Sequence, residues 1–434
     1  MRKCFNSSKK KRGEKLPMIK KSALLQYIVI YVMLLIQGTA FENTYHDLFQ
    51  ISIFIIGIVY GVNRFLSKKE FTQTAVLVVS LFITYIVTKG SLTIASVITL
   101  INTFLLVICA YKICPDKVVE RTIKLIYGLS LISLALYAIQ MLNPNLLKSI
   151  SIPYTFASGD AYWVNGTRVD LVIYFNFVFS FSPYAQRLRN SGLYTEPGVH
   201  AMVLTAALYL LLYNKEKIPV KKFNRYLLVL IITMISTQST MGIMCLGIVL
   251  MYLLFTNRAD IGNAKIVLIL AGIVVLIASV SQGLNSFLYK NVLNKIYDVN
   301  KGMLDLTVST GASRIESIRV DMELALTHPF GVGYLDYIPM WNALKKNIPD
   351  TASCVGITKN LAVFGFIPII YVVVYYCNVF RNKNKSLAIS YCACLLIMFF
   401  SQPNLFAPVL MLVSYMADKE ISFEMDNYNL GVEL

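Results

Sequence analysis

Apolar runs long enough to cross a lipid bilayer recur along almost the whole chain. A helix of about 20 apolar residues spans the hydrocarbon core of a membrane, and such runs occur from Ser22 to Ala417. Only 15% of the 434 residues are charged and 56% are hydrophobic, whereas about 25% of residues are charged in a typical soluble domain. We therefore predict an all-α integral membrane protein with about 12 transmembrane helices.

The predicted helices are separated by two large loops. The N-terminus is basic and lacks a small-residue cleavage site after a short apolar core, so the first apolar run is expected to remain as a span. The predicted spans are 22–40, 48–63, 73–88, 92–111, 123–142, 199–213, 226–236, 241–255, 266–281, 360–380, 386–401 and 405–417. The chain is thus divided into a basic N-terminus (1–21), helices one to five (22–142), a first large loop (143–198), helices six to nine (199–281), a second large loop (282–357), helices ten to twelve (358–417) and a tail (418–434).

The positive charge follows the predicted membrane topology. The formal net charge is +17, and most of the excess lies in alternate loops, such as KEKIPVKKFNR at 215–225 and RNKNK at 381–385. Because cytoplasmic loops are enriched in Lys and Arg, these loops and both termini are predicted to be cytoplasmic. Both large loops are then extracytoplasmic. The charge is therefore a topology signal, and no nucleic-acid partner is expected.

The end of the first large loop places charged groups at the mouth of span six. The segment RLRNSGLYTEPGVH, residues 187–200, contains Arg187 and Arg189 before Glu196. Pro197 suits the first turn of a helix, where its missing N–H is not needed, so span six is predicted to start at Glu196–Pro197. Helix N-termini attract anions. Two interpretations follow: Glu196 is a base or an acceptor-orienting group with the arginines on a diphosphate, or it is a helix cap beside interfacial arginines.

The second large loop contains an amphipathic helix, predicted at 313–328. Ser313 and Glu316 have the spacing of a capping box, and His328–Pro329 ends the helical pattern. An apolar stripe at helical spacing indicates a helix that lies in the membrane interface, apolar side down. The stripe consists of Ile315, Ile318, Met322, Ala325 and Leu326.

Three side chains of this helix are candidate functional groups. Arg314 is the better candidate for a ligand contact, because a guanidinium binds phosphate in bidentate fashion. Arg319 has acidic neighbours at helical spacing, so it is either a second phosphate contact or a salt-bridge partner. His328 would titrate near neutral pH and is either a catalytic group or a cap at the helix end.

No pattern typical of a metal or cofactor site stands out. Glu42, His46 and Asp47 could bind a metal, but clusters this short are common. The cysteines lack paired CxxC spacing, and the outer loops contain neither a DxD motif nor a glycine-rich phosphate loop. We therefore expect no metal and no other cofactor.

Several short segments together resemble a known family. They are GLYTEPG (192–198) after an arginine, STQSTMG (236–242) at a tight turn between spans, and HPFGVGY (328–334) after Arg314. With large outer loops between spans five and six and between nine and ten, the chain resembles the O-antigen polymerase and ligase superfamily, and more closely its polymerase branch. The architectural resemblance covers most of the chain, whereas the motif matches are confined to these segments.

The resemblance implies a GT-C-like glycosyltransferase of a bacterial cytoplasmic (inner) membrane. Such an enzyme transfers an O-antigen or capsule glycan from polyprenyl diphosphate onto a lipid-linked repeat unit at the outer face. The resemblance implies that Arg189 and Arg314 contact the lipid diphosphate, with Arg187 and Arg319 as further candidates. It also implies that Glu196 and His328 lie near the transferred sugar. The implied partners are the polyprenyl-diphosphate-linked oligosaccharide, the lipid bilayer, a chain-length regulator and a flippase.

Two departures from the family pattern leave alternatives open. Thr240 stands where many relatives have an arginine, and Ser353-Cys354-Val355 lacks the histidine that is typical of the ligase branch. A ligase, a flippase or transporter of lipid-linked oligosaccharide, and a structural scaffold remain the alternatives. A transporter would carry charged residues within its spans, and the nearly charge-free spans here favour an enzyme.

Overall fold

Helices dominate the part of the chain that the structure describes. The computed structural model describes residues 21–45, 50–51, 53–55, 67–155, 161–164, 167–170, 172–182, 189–255, 297–298, 303–304, 309–346, 352–382, 384–402 and 404–417. The predicted span 266–281, most of the predicted span 48–63, Arg187 and both chain ends lie outside these residues.

The described helices follow the predicted order. They are α1 (Lys21–Leu35), α2 (Ala40–Thr44), α3 (Lys68–Val87), α4 (Ile94–Ile113), α5 (Val118–Leu142), α6 (Pro144–Lys148), α7 (Pro197–Tyr213), α8 (Val220–Ser236), α9 (Thr240–Phe255), α10 (Ser309–Thr327), α11 (Gly333–Leu344), α12 (Gly356–Phe364), α13 (Phe366–Tyr376), α14 (Lys385–Ser401) and α15 (Pro408–Ala417). Among the described residues, three helical segments are long and apolar enough to cross a membrane: Glu70–Val87, Ile94–Ile113 and Pro115–Leu142. The shorter apolar helices are Ser22–Leu35, Pro197–Tyr213, Thr240–Phe255, Phe366–Arg381, Lys385–Ser401 and Pro408–Ala417.

Local sequence sets where several helices begin. Ser67 and Glu70 form a capping box at the start of α3, which satisfies backbone N–H groups that have no partner inside the helix. Thr93 accepts a hydrogen bond from the Ser96 amide at the start of α4, and Asn384 caps α14 in the same way. Polar caps therefore mark where these three helices begin.

The connections between helices gather at two ends of the molecule. The end that we call the loop end contains residues 38–39, 89–92, 189–198, 236–239, 328–336 and 402. Its backbone hydrogen bonds include Thr195 to Gly38, Asn190 to Ser236 and Leu335 to Ser91. At the opposite end, which we call the basic end, the contacts include Lys112–Glu70, Gln26–Cys114 and Asn384–Tyr252. Helices that cross a layer alternately produce this segregation, and it follows the predicted alternation of the connecting loops.

Short strands, which the sequence did not predict, lie in the large loops. β1 (Ile152–Thr155), β4 (Val172–Phe175) and β5 (Ser180–Phe181) form an antiparallel sheet in the order β1-β4-β5, with Ile152 opposite Phe175 and Tyr174 opposite Phe181. β2 (Ala161–Val164) pairs with β3 (Thr167–Asp170), and β6 (Tyr297–Asp298) pairs with β7 (Met303–Leu304). Ile173 and Phe175 pack with Ala40, which attaches the small sheet to the segment after α1.

α10 differs from its predicted form in two respects. It begins at Ser309, so Ser313 lies inside the helix and the predicted capping box at Ser313 is wrong. It ends at Thr327, as the following proline predicts. Of the predicted apolar stripe, Ile315 is 50% exposed and Leu326 is 68% exposed, whereas Ile318 and Met322 are partly buried. Ala325, which was assigned to that stripe, is buried instead.

The predicted span 360–380 is divided at Gly365. This glycine has a φ of 80° and separates α12 from α13. A Cβ atom at Gly365 would lie 2.4 Å from the carbonyl carbon of Phe330, and the Phe366 amide donates to the Pro329 carbonyl at 2.9 Å. The close approach of the segment after α10 therefore breaks a run that is apolar throughout.

Candidate functional site

Glu196 lies at the N-terminus of α7, as predicted. It is the N-cap residue, with extended backbone (φ −127°, ψ 139°), and Pro197 occupies the first turn. The preceding residue is held by the turn after α1, because the amide and the hydroxyl of Thr195 donate to the Gly38 carbonyl at 3.1 and 3.0 Å. Glu196 is thereby positioned at the loop end of the bundle.

Two helix N-termini meet at Gln402. A Cβ atom at Gly198, in the first turn of α7, would lie 2.1 Å from the Gln402 side-chain nitrogen. A Cβ atom at Gly356, the first residue of α12, would lie 2.0 Å from the Gln402 carbonyl oxygen. The two glycines therefore allow both helix starts to pack against the residue that ends α14. Each helix N-terminus carries partial positive charge, and the C-terminus of α14, the negative end of its dipole, lies between them.

Arg314 reaches the same region from α10. Its Nη1 donates to the carbonyl of Phe400 in the last turn of α14, where a cation complements the negative end of the helix dipole. A guanidinium has five N–H donors, and this contact occupies one of its nitrogens. Arg314 is half-buried beside two helix starts and retains donors for a ligand.

Arg189 lies at the loop end next to the STQSTMG turn. The following residue, Asn190, donates its backbone N–H to the Ser236 carbonyl at 3.1 Å and its side-chain amide to the Ser236 hydroxyl at 2.9 Å. Asn190 also donates to the Ser133 hydroxyl at 3.3 Å. The structure thus joins the GLYTEPG and STQSTMG segments, and the same contacts fix the backbone that follows Arg189.

His200 lies beneath the GLYTEPG turn. Its ring occupies the space next to Gly192, where a Cβ atom would lie 2.5 Å from the imidazole. Nδ1 is 3.3 Å from the Asn190 carbonyl. Gly192 has a φ of 55°, so a glycine here permits both the turn and the approach of the ring. The contacts support the turn that carries Glu196.

Asp321 and Lys359 are two charged residues that were not assigned to the site from the sequence and that interact electrostatically. Asp321 is 0% exposed and accepts hydrogen bonds of 2.7 Å from the hydroxyls of Tyr337 and Thr358. Burial raises the pKa of Asp321, and hydrogen bonds from Ser353 and those two hydroxyls oppose the rise, as does the Lys359 charge. Lys359 lies close enough to both Asp321 and Glu196 to interact electrostatically with each carboxylate. Lys359 therefore connects α12 to both anionic groups.

The signals for these two residues were weak in the sequence. Asp321 lies seven positions after Arg314 and seven before His328, and Lys359 is a lone charge at the start of an apolar run. A charge in such a position often has a functional role. Their hydroxyl and carboxylate partners are distant along the chain, so the pairing could not be inferred.

Arg319 is held by acidic neighbours, as one of the two interpretations of the sequence stated. Its guanidinium contacts Glu316 at 2.7 and 3.0 Å and Glu323 at 2.9 Å. It also donates to the Leu344 carbonyl at 2.7 Å. Most of its donors are therefore used within the protein, and this arginine attaches α10 to the end of α11.

His328 is not brought together with Arg314. At 1.5 Å per residue, the two lie about 21 Å apart along α10. His328 Nδ1 is 2.9 Å from the Thr327 hydroxyl, and the imidazole lines a cleft of about 380 Å³ with Lys89 and Asp336. The structure therefore separates two residues that the resemblance placed near the same substrate.

Metal ligands do not cluster in the part of the chain that the structure describes, where no group of three or more His, Cys, Asp and Glu residues could hold a metal ion. Glu42 accepts a hydrogen bond from the Gly38 amide at 3.2 Å, while His46 and Asp47 lie outside the described residues. No protein-family model matches the chain, and no curated protein matches its sequence. The arrangement at the loop end thus rests on its own geometry: two helix starts, two arginines, a lysine and a carboxylate.

Proposed function

We propose that this protein is a polysaccharide polymerase. It would transfer an O-antigen or capsule glycan from polyprenyl diphosphate onto the terminal sugar of a lipid-linked repeat unit. The observation that carries the proposal is the convergence of the N-termini of α7 and α12 with Arg314 and Lys359 at the loop end. This combination suits an anionic leaving group that arrives from the membrane.

The proposed reaction assigns a role to each group. The acceptor hydroxyl oxygen forms a bond to the anomeric carbon of the donor sugar, and the bond from that carbon to the diphosphate breaks. Arg314 and Arg189 stabilise the charge that develops on the departing diphosphate, which is typically the largest contribution to catalysis. Glu196 accepts the proton of the acceptor hydroxyl, and Lys359 orients that carboxylate.

The proposal includes a finer architecture and location. The protein would be a GT-C-like enzyme with about 12 spans in a bacterial inner membrane, with both termini in the cytoplasm. The loop end would face the extracytoplasmic side, because the basic loops lie at the other end. The exposed apolar stripe of α10 would rest in the membrane interface or contact a chain-length regulator, and a flippase would deliver the substrate.

Glycan gel profiling of a deletion strain tests the proposal directly. The strain is complemented with wild type, Arg314→Ala, Glu196→Ala or Arg319→Ala at matched membrane levels. Loss of a transition-state contact typically lowers the rate by about 10²–10³, so Arg314→Ala and Glu196→Ala should reduce the polymer ladder to a single repeat unit. Arg319→Ala removes the same charge from the same helix and should retain the ladder.

The other outcomes identify different functions. Long polymer that stays on the carrier lipid would establish a ligase. Repeat units that never reach the outer face would establish a flippase. A ladder unchanged by Arg314→Ala and Glu196→Ala would refute the proposed site.

A further inference from the structure

An apolar groove runs along the exposed side of α3. It has a volume of about 390 Å³ and extends along α3 for about 18 Å, at 1.5 Å per helical residue. Its lining residues are Phe71, Thr72, Ala75, Val76, Val79, Ser80, Ile83 and Ile367. The α3 members recur at helical spacing and form one face. Since α3 is long enough to cross a membrane, this face is available to a lipid chain.

The cleft that contains His328 lies next to the groove, beyond the end of α3. Val87 lies one helical turn after Ile83 on the same face of α3 and lines the cleft, a rise of about 6 Å. The opposite walls are adjacent as well. Ile367 lines the groove, and the adjacent Phe366 amide donates to the carbonyl of Pro329, which lines the cleft. Groove and cleft are therefore lined by neighbouring residues of the same two segments.

The cleft supplies polar groups at the end of this apolar path. Lys89 is exposed and has a φ of 49°, a conformation that is uncommon for a residue other than glycine. Within the described parts of the chain, its ammonium group has no hydrogen bond or ion pair. His328, Thr327 and Asp336 line the same cleft. Lys89 and the Thr327 hydroxyl can donate to a phosphate, and the Asp336 carboxylate can accept from the hydroxyl groups of an attached sugar.

We propose that the groove and the cleft together bind an isoprenoid lipid that carries a phosphate-linked glycan. The chain lies along α3 from Phe71 to Ile83, and the phosphate contacts Lys89 and His328. This inference rests on the proposed function, because it assigns this position to the acceptor. Its distance from Arg314 has a chemical reason: the donor diphosphate leaves at the reacting carbon, whereas the acceptor phosphate stays bonded and is separated from the reacting hydroxyl by a repeat unit.

Photocrosslinking tests the site without relying on polymer formation. The full-length protein is placed in phosphatidylcholine nanodiscs with a polyisoprenyl diphosphate that carries a diazirine in its chain, and labelled peptides are mapped by mass spectrometry. Label should appear between Phe71 and Val87. Lys89→Glu reverses the charge and should reduce labelling by about tenfold, as loss of one ionic contact of about 1.4 kcal/mol would. Val79→Trp should reduce labelling by about tenfold too, because the indole fills the space that the lipid chain would occupy.

Ile86→Trp is the matched control. Ile86 is an exposed α3 residue that does not line the groove, so this variant should label like wild type. Equal labelling by an unphosphorylated polyisoprenol, or full competition by excess phosphatidylglycerol, would overturn the proposal and leave a general lipid groove. Absence of label between Phe71 and Val87 would overturn it too.

The two proposals can fail separately. If Arg314→Ala abolishes the polymer ladder while α3 stays unlabelled, the polymerase stands and this binding site falls. If α3 is labelled as expected while Arg314→Ala and Glu196→Ala leave the polymer ladder unchanged, the lipid site is supported and the proposed catalytic site is refuted.

Discussion

Single glycines determine how the HPFGVG segment attaches to the bundle. Gly331 and Gly365 both have positive φ values, 87° and 80°, and they face one another across a contact between backbones. The Val332 amide donates to the Ala362 carbonyl at 2.9 Å. The glycines of this segment therefore serve attachment, and the motif resemblance by itself did not distinguish attachment from catalysis.

Replacing Gly331 by alanine should destabilise the protein by about 2–4 kcal/mol, combining left-handed backbone strain and overpacking. The new Cβ atom would lie 2.3 Å from the Val363 carbonyl oxygen. Thermal unfolding followed through the fluorescence of buried Trp341 measures the loss. Gly247→Ala is the control, because nothing lies within 4 Å of that Cβ position and alanine favours helix. Equal unfolding temperatures for the two variants would contradict this account.

At the scale of elements, α10 buries polar and apolar residues together. Ser317 and Asp321 are buried with Val320 and Leu324, whereas Ile315 and Leu326 are exposed. The apolar spacing predicted this helix and the exposure of Ile315 and Leu326, but not the residues beneath them. Asp321 binds Tyr337 and Thr358, which belong to other helices. Sequence periodicity reports which faces are apolar, and it does not report which distant hydroxyl satisfies a buried carboxylate.

The contact between Glu316 and Arg319 should stabilise α10 in a pH-dependent manner. The Arg319 hydrogen bond lowers the pKa of Glu316. A lowered carboxyl pKa adds stability above the unfolded-state value, about 4.3, and this stability is lost as pH falls through the folded-state pKa. Glu316→Gln should therefore cost under about 1 kcal/mol near neutral pH, since Arg319 is partly exposed.

Unfolding temperatures of wild type and Glu316→Gln, compared across acidic and neutral pH, measure this difference. It should be constant around neutrality and disappear at acidic pH. Glu323→Gln, which removes the other carboxylate partner of Arg319, should have the smaller effect because Glu323 makes no bond to the Lys346 amide. If the difference in unfolding temperature between wild type and Glu316→Gln grows on acidification, the pKa of Glu316 is not lowered in the folded protein.

At the scale of the whole molecule, the apolar runs predicted a mainly helical protein with helices long and apolar enough to cross a membrane. They did not predict the break at Gly365 or the short strands of the first large loop, because both depend on contacts with remote backbone. The start of α7 was predictable from Glu196–Pro197, since a proline in the first turn is a local signal. Lys359 became recognisable as part of the site only when α12 was placed beside α7 and α10.

The assignment of the two ends to opposite sides of a membrane can be measured by labelling. In a background without native cysteines, Lys89→Cys at the loop end and Lys217→Cys at the basic end both replace exposed side chains. A membrane-impermeant maleimide should label Lys89→Cys in intact spheroplasts and Lys217→Cys only after permeabilisation. Labelling of both positions in intact spheroplasts, or the reverse pattern, would contradict the assignment.

The order in which the chain leaves the ribosome limits when the loop end can be completed. Gly38 cannot accept its hydrogen bond until Thr195 has been synthesised, and Ser91 cannot accept one until Leu335 has been synthesised. Gly198 and Gly356 cannot pack against Gln402 until that residue has been synthesised. Because synthesis proceeds from the N-terminus, the last of these partners emerges when nearly all of the chain has been inserted. An unfinished chain presents open helix starts without the residue that draws them together. Translation therefore delays assembly of the loop end until α14 has been synthesised.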